Sequence, residues 1–191
     1  FFNKYVPKKS GLKALREGKV SLTLDELEEK VNSSNWINSY EKAKEKEAEL
    51  LKLDSEVTKL QSEIDVLTPW ENLDVPLNEL KTLRNTSYYL GTIAKGYEET
   101  MFQELSNCYV EIISRSTNDI NLLILANNEY DENISEVLRS FGFTAFKTEH
   151  ADVPLKLILD FKHDIEEIKS KKFFIQEEIS FFVLLILKIW N

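Results

Sequence analysis

The sequence has few of the residues that interrupt regular structure, with only 5 glycines and 4 prolines among 191 residues. This scarcity favours long, uninterrupted helices and strands. A single cysteine, Cys108, excludes a disulfide within the chain, as is typical of a reducing compartment. Acidic residues outnumber basic ones, 33 against 24, and the resulting formal charge of −9 disfavours nucleic acid or an anionic membrane surface as the main partner.

Sequence signatures of catalysis are also missing. There is no Gly-x-x-x-x-Gly-Lys-Ser/Thr phosphate loop. His150 and His163 have no cysteine or histidine at the spacing of metal ligands, and Cys108 has no basic neighbour in sequence that would stabilise a thiolate. Adjacent glutamates such as Glu98 and Glu99 are expected on solvated helix faces. We therefore expect no catalytic residue, metal, cofactor or small-molecule substrate, and interpret the chain as not being an enzyme.

No apolar run reaches the about 20 residues that a membrane-spanning helix needs. The longest run lies near the C-terminus, over residues 179–187. We expect this apolar tail to be covered, either by the segment near residues 1–6 or by a neighbouring chain, since large exposed apolar patches are uncommon on soluble monomers. Because the chain starts at Phe1 without Met, we interpret it as a fragment of a longer protein.

Two segments far apart in the chain carry apolar residues at alternating spacings of three and four. The first set is Leu50, Leu53, Val57, Leu60, Ile64 and Leu67; the second is Ile158, Phe161, Ile165, Ile168, Ile175, Ile179 and Phe182, with Lys172 in one slot. Each set forms a stripe along one side of a helix, and that stripe must bury against a partner. We predict long helices over 36–67 and from residue 154 onward, packed on each other as an antiparallel two-helix coiled coil.

Shorter elements are predicted at both ends of the first long helix. A short helix is expected over residues 12–16, and Thr23 with Glu26 three residues later has the spacing of a capping box. Thr68-Pro69-Trp70 ends the long helix, because proline disfavours helical conformation in the residue before it. Asp-Val-Pro-Leu at 74–77 and again at 152–155 indicates two further helix starts.

Between the two stripes the periodicity changes to that of a small α/β segment. The predicted elements are strand 87–94, helix 97–105, strand 108–114, strand 120–126, helix 131–140, stopped by Gly142, and strand 143–147. This order is that of the split ferredoxin-like βαββαβ unit, with one layer of helices on one sheet. The predicted fold class is thus α+β, a long antiparallel two-helix coiled coil with a ferredoxin-like lobe at its tip.

The predicted domain boundaries follow these elements. They are an N-terminal arm and short helix over 1–35, the first coiled-coil helix over 36–68, the α/β distal lobe over 69–153, and the second coiled-coil helix with the apolar tail over 154–191.

Several segments resemble one known family. Leu-Thr-Pro-Trp-Glu-Asn-Leu-Asp-Val-Pro-Leu at 67–77, followed by Gly-Thr-Ile at 91–93, is similar to subunit I of bacterial V-type ATP synthases, the counterpart of subunit a of the vacuolar ATPase. Val-Leu-Arg-Ser-Phe-Gly-Phe at 137–143 and the helix start at Pro154 resemble the same family. The resemblance covers roughly residues 40–178.

The resemblance implies a non-catalytic stator arm on the cytoplasmic face of the membrane. Its partners would be the peripheral-stalk subunits E and G, and the membrane rotor and stator sector through parts absent from this chain. Tyr88, Tyr89 and Arg115 are our candidate partner-binding residues, although core packing of the tyrosines and a solvated turn for the arginine are equally compatible with the sequence. The alternative function is a ligand-sensing ferredoxin-like module with a coiled-coil signalling or dimerisation rod.

Overall fold

The computed structural model of this protein describes residues 2–5, 23–33 and 36–190. The helices in these ranges are α1 (Phe2–Tyr5), α2 (Leu24–Ser33), α3 (Trp36–Leu67), α4 (Leu77–Leu80), α5 (Glu98–Glu104), α6 (Asp131–Ser140) and α7 (Pro154–Trp190). The strands are β1 (Thr86–Ala94), β2 (Tyr109–Arg115), β3 (Asp119–Asn127) and β4 (Thr144–Ala145). The class is α+β, as predicted, and the predicted bounds of α3 and start of α7 are confirmed.

The predicted start signal of α2 and stop signal of α3 are both present in the structure. The hydroxyl of Thr23 accepts from the Glu26 amide at 3.3 Å, while the Glu26 carboxylate accepts from the Thr23 amide at 2.8 Å, which is a capping box. After α3 the chain forms a single 3₁₀ turn over Thr68–Trp70 with Pro69 in its first positions. The helix predicted over residues 12–16 lies outside the described residues.

The four strands form one antiparallel sheet in the order β2-β3-β1-β4. All nine residues of β1 pair with β3, from Thr86 opposite Asn127 to Ala94 opposite Asp119. With α5 and α6 connecting the strands, this is the order of the split βαββαβ unit. A register shift between Ile112 and Ser114 interrupts the pairing of β2 with β3.

The last strand is shorter than predicted. Instead of spanning 143–147, β4 covers only Thr144–Ala145. Its start is delayed because the Phe143 amide donates to the Leu138 carbonyl at 3.0 Å, and the Gly142 amide donates to the Arg139 carbonyl at 3.1 Å. Gly142 has a φ of +67°, so these bonds form a Schellman motif that ends α6. Gly142 therefore stops the helix, as the sequence predicted.

The chain divides into two compact units. The α/β unit spans Lys59–Asp164, and the helical unit combines Phe1–Thr58 with Ile165–Asn191. Both boundaries fall within long helices, whereas the predicted domain boundaries follow helix ends. No helix among the described residues is both long enough and apolar enough to cross a bilayer.

One face of the sheet in the α/β unit packs against α5 and α6. Side chains alternate between the two faces along each strand, and every second residue of β3 belongs to this face. Met101 of α5 and Leu138 of α6 pack here with Ile93 of β1. The β3 residues of this face are Ile120, Leu122, Ile124 and Ala126. This is the layer of helices that the βαββαβ order predicted.

The other face of the sheet packs against the segment between α3 and β1. That segment contributes Trp70, Leu73, Leu77 and Leu80, and the sheet contributes Leu90, Ile113 and Leu123. The sequence predicted one layer of helices only. The second layer was missed because its residues lie in a 3₁₀ turn, a loop and the four-residue helix α4, where apolar periodicity is too brief to identify a covering element.

In the helical unit, the N-terminal part of the predicted α3 stripe packs with the C-terminal part of the α7 stripe. Its core contains Ala43, Leu50, Leu53, Ile175, Ile179 and Val183. Lys172, the polar residue in the α7 stripe, forms an ion pair with Asp54 of α3. Two further ion pairs join these helices, Lys46 with Glu178 at 2.8 Å and Lys171 with Glu49 at 3.0 Å.

The apolar tail is buried on one side of α7. Val183 and Ile186 are buried, and Tyr5 of α1 packs against the same core as Val183. The expected contact with the N-terminal segment is thus present on this side. Phe181 and Leu184 are 58% and 56% exposed, so cover of the other side by a neighbouring chain stays a prediction.

Candidate functional site

The two candidate tyrosines lie side by side on β1 but on opposite faces of the sheet. Tyr88 packs against the cluster around Trp70, and Tyr89 packs against the cluster around Met101. Both are half-buried. Adjacent residues of a strand diverge in this way, so the pair cannot present one aromatic surface to a partner.

Tyr89 is held by α6. Its hydroxyl donates to the carboxylate of Asp131 and lies 3.3 Å from the Ser135 hydroxyl. Burial raises the pKa of Tyr89, and the hydrogen bond to Asp131 adds to that increase. The same bond lowers the pKa of Asp131. Tyr89 therefore fixes the start of α6 to the sheet.

Arg115 lies at the far end of the sheet from the tyrosines. It pairs with Ile120 of β3, whereas Tyr88 pairs with Leu125. Five residues of a strand correspond to about 17 Å at ~3.4 Å per residue. Arg115 is exposed and forms an ion pair with Glu98 at 2.7 Å. The structure therefore does not bring the three candidate residues into one site.

A cleft of about 280 Å³ lies beside Tyr88. Its lining comprises Leu77, Leu80, Lys81, Tyr88, Leu90, Phe146, Lys147, Thr148 and Glu149. The apolar members belong to the core cluster around Trp70, whose ring centroid lies 4.6 Å from that of Phe146. The charged members are exposed, two lysines against one glutamate.

The chain leaves the sheet next to this cleft. The Phe146 amide donates to the Leu90 carbonyl at 2.8 Å, and pairing with β1 stops there. Four residues later the His150 ring nitrogen lies 3.0 Å from the Glu63 carboxylate, and the ring centroid lies 5.4 Å from that of Phe161. These contacts hold the segment that follows β4, so residues 147–149 line the cleft.

Other side chains that could take part in catalysis or binding are packed into the core. Cys108 is half-buried against the core around Met101, and burial raises the pKa of its thiol. Trp70, in the turn that ends α3, is only 3% exposed. Within residues 2–5, 23–33 and 36–190, no group of three or more His, Cys, Asp or Glu side chains is placed to hold a metal ion.

Sequence reasoning missed the cleft, although it singled out Tyr88. Lys81 and Lys147 follow α4 and β4, at positions where an exposed lysine carries no local signal. Their convergence depends on where β4 ends and on the contact of His150 with Glu63, which are 87 positions apart. A pattern within one short segment does not contain that information.

Comparison with known proteins gives a structural similarity but no match in sequence. No family model matches this chain, and no curated protein matches it. A similar solved structure is the crystal structure of the cytoplasmic N-terminal domain of subunit I, homolog of subunit a, of V-ATPase. The identity is 16% and the TM-score 0.47, over 89% of this chain and 59% of that chain. The chain thus spans about three fifths of that domain, and a similarity of this size assigns neither family nor function.

Proposed function

We propose that this chain is a non-catalytic structural part of a rotary V-type ATPase or ATP synthase. It would act as a stator arm that connects the peripheral-stalk subunits E and G to the membrane sector. The observation that carries the proposal is the position of the residues that resemble subunit I. Leu67, Trp70, Leu73 and Leu77 are each 0–3% exposed, and the last three belong to the core of the α/β unit.

Burial matters because it ties the resemblance to a structural element. The segment over 67–77 connects the long helix α3 to the sheet and covers one of its faces. Its apolar side chains point into that core and are not a scattered surface pattern. The residues that resemble subunit I therefore form the connection between α3 and the sheet. A force-bearing arm needs such a connection to be rigid.

The helical unit also suits a load-bearing role. Its two long helices share an apolar core and three ion pairs, contacts that oppose sliding of one helix along the other. In this proposal α3 and α7 form an antiparallel coiled coil on the cytoplasmic face of the membrane. The charge of −9 favours basic protein partners over nucleic acid.

The test is binding of the whole chain to a purified E–G heterodimer. We expect co-elution in size-exclusion chromatography and a one-to-one complex in analytical ultracentrifugation. Arg115→Ala, which removes an exposed candidate contact, is compared with Arg139→Ala on the exposed face of α6 as a matched control. Failure of the unaltered chain to form the complex would contradict the proposed function.

A ligand-sensing module is the second candidate, and the cleft beside Tyr88 favours it. At about 280 Å³ the cleft is slightly smaller than common small-molecule sites, which measure about 300–1,000 Å³. This function requires a small molecule that binds there and changes the helical unit. Ligand-induced chemical shifts at Tyr88 and Leu90, with no E–G binding, would support it over the stator function.

A further inference from the structure

The edge of β1 beside the cleft has main-chain groups that no strand in the described residues covers. In an antiparallel sheet, the amide and carbonyl of a given residue point to the same neighbouring strand, and alternate residues point to opposite neighbours. The Leu90 carbonyl points towards β4, since it accepts from Phe146. Tyr88 and Thr86, two and four residues earlier, therefore face the same side.

Pairing on that side ends too early to reach these residues. β4 pairs with Gly91 and Thr92, and the Phe146 bond extends the contact only to Leu90. Within the described part of the chain, no strand pairs with Tyr88 or Thr86 on that side, which leaves an open edge. Such an edge is a template for an added strand.

The shape and chemistry of the cleft fit a polypeptide segment. Leu77, Leu80 and Phe146 provide an apolar wall beside the edge, where a side chain of an added strand can pack. Lys81 and Lys147 are exposed at the same cleft with Glu149. A surplus of positive charge here, on a chain of net charge −9, favours acidic side chains in the occupant.

We propose that this cleft binds an extended, acidic segment of a partner protein, which adds to β1 as a new edge strand. A second copy of this chain is a poorer occupant, because pairing two identical edges would bring both sets of lysines together. The inference does not depend on membership of a rotary ATPase. It is tested with a peptide, separately from the E–G heterodimer.

The probe is a fluorescein-labelled heptapeptide of alternating Glu and Val with blocked termini. Whichever way the peptide pairs with β1, it presents valines on one face and glutamates on the other. We expect binding to the whole chain with a Kd of about 100 μM or tighter in fluorescence anisotropy. A peptide with Lys in place of Glu should bind at least about tenfold more weakly. N-methylation of every second residue can be placed in two ways. The pattern that removes the peptide amides facing β1 should weaken binding by a similar factor.

Protein variants test the charge contribution. Lys81→Glu with Lys147→Glu should weaken binding of the acidic peptide at least about tenfold. The same change in net charge at Lys42 and Lys95, which do not line the cleft, should leave affinity within about twofold. In hydrogen exchange, the Tyr88 amide should be more protected in the peptide complex than in the free chain.

Several outcomes would overturn the proposal. Absence of binding, equal affinity for the lysine peptide, or binding without protection of the Tyr88 amide would each do so. Concentration-dependent dimerisation that protects Tyr88 would assign the edge to a second copy. A small molecule that binds the cleft while the peptide does not would assign it to ligand sensing.

Discussion

The Ser114 hydroxyl donates to the carbonyl of Pro69, with 2.6 Å between the two oxygens. This bond fixes the turn after α3 to strand β2. Ser114 in turn accepts from the side-chain amide of Asn121 at 3.0 Å, and the Asn121 side-chain oxygen accepts from the Thr92 hydroxyl at 2.6 Å. The segment that carries the family resemblance is therefore connected to three strands by one series of hydrogen bonds.

The first prediction concerns Asn121, which is 8% exposed and lies at the centre of this series. Asn121→Ala leaves the hydroxyls of Ser114 and Thr92 without their central partner. We expect it to lower the free energy of unfolding by about 1–3 kcal/mol. Urea unfolding followed by circular dichroism measures the loss. Asn133→Ala on the exposed face of α6 is the control, and equal stability of the two variants would contradict the prediction.

The second prediction concerns Gly91, where β1 closely approaches Phe143. A Cβ at this position would overlap both the Phe143 ring and the Thr144 carbonyl oxygen. Gly91→Ala should therefore displace β4 and lower the free energy of unfolding by about 1–3 kcal/mol. Gly96→Ala, whose Cβ would meet no atom within 4 Å, is the matched control. Thermal unfolding of both variants is the measurement, and an unchanged midpoint for Gly91→Ala would disprove the close approach.

The third prediction is a pH dependence from Tyr89 and Asp131. The hydrogen bond lowers the pKa of Asp131 in the folded chain, so its contribution is present above the unfolded pKa and is lost as pH falls through the folded value. Tyr89→Phe removes the bond and should reduce stability at neutral pH by about 1 kcal/mol. The difference from the unaltered chain should shrink under acidic conditions. Unfolding measured across that pH range tests this, and a difference independent of pH would count against it.

Local features of the fold could be predicted from the sequence. The end of α3 follows from Pro69, and the end of α6 follows from Gly142, because each signal acts within a few residues. The length of β4 could not be predicted in the same way. Phe143 has strand-like neighbours, yet its amide is used to end α6.

The candidate site was predicted only in part. The alternation of side chains along β1 already implies that Tyr88 and Tyr89 point to opposite faces of the sheet. The residues that pack against each tyrosine are distant in sequence and could not be predicted. Arg115 lies at the opposite end of the strands because of the pairing register, which no local pattern specifies. The open edge likewise depends on the contact of His150 with Glu63.

The last prediction concerns the packing of α3 against α7. Ile179 is 0% exposed in the core of the helical unit, whereas Phe174 on the same helix is 68% exposed. Ile179→Ala removes buried side-chain volume between the helices, and large-to-small changes at such sites cost about 2–5 kcal/mol. Phe174→Ala removes a larger but exposed side chain and should change stability little.

Hydrogen exchange identifies where stability is lost. In Ile179→Ala, amides of α3 and α7 within the helical unit should exchange faster, while those of β1 and β3 keep their protection. Phe174→Ala should leave both sets unchanged and serves as the control for altered hydrophobicity. If Ile179→Ala leaves the helical amides equally protected, the two stripes do not stabilise each other, and the load-bearing role proposed for these helices loses its physical basis.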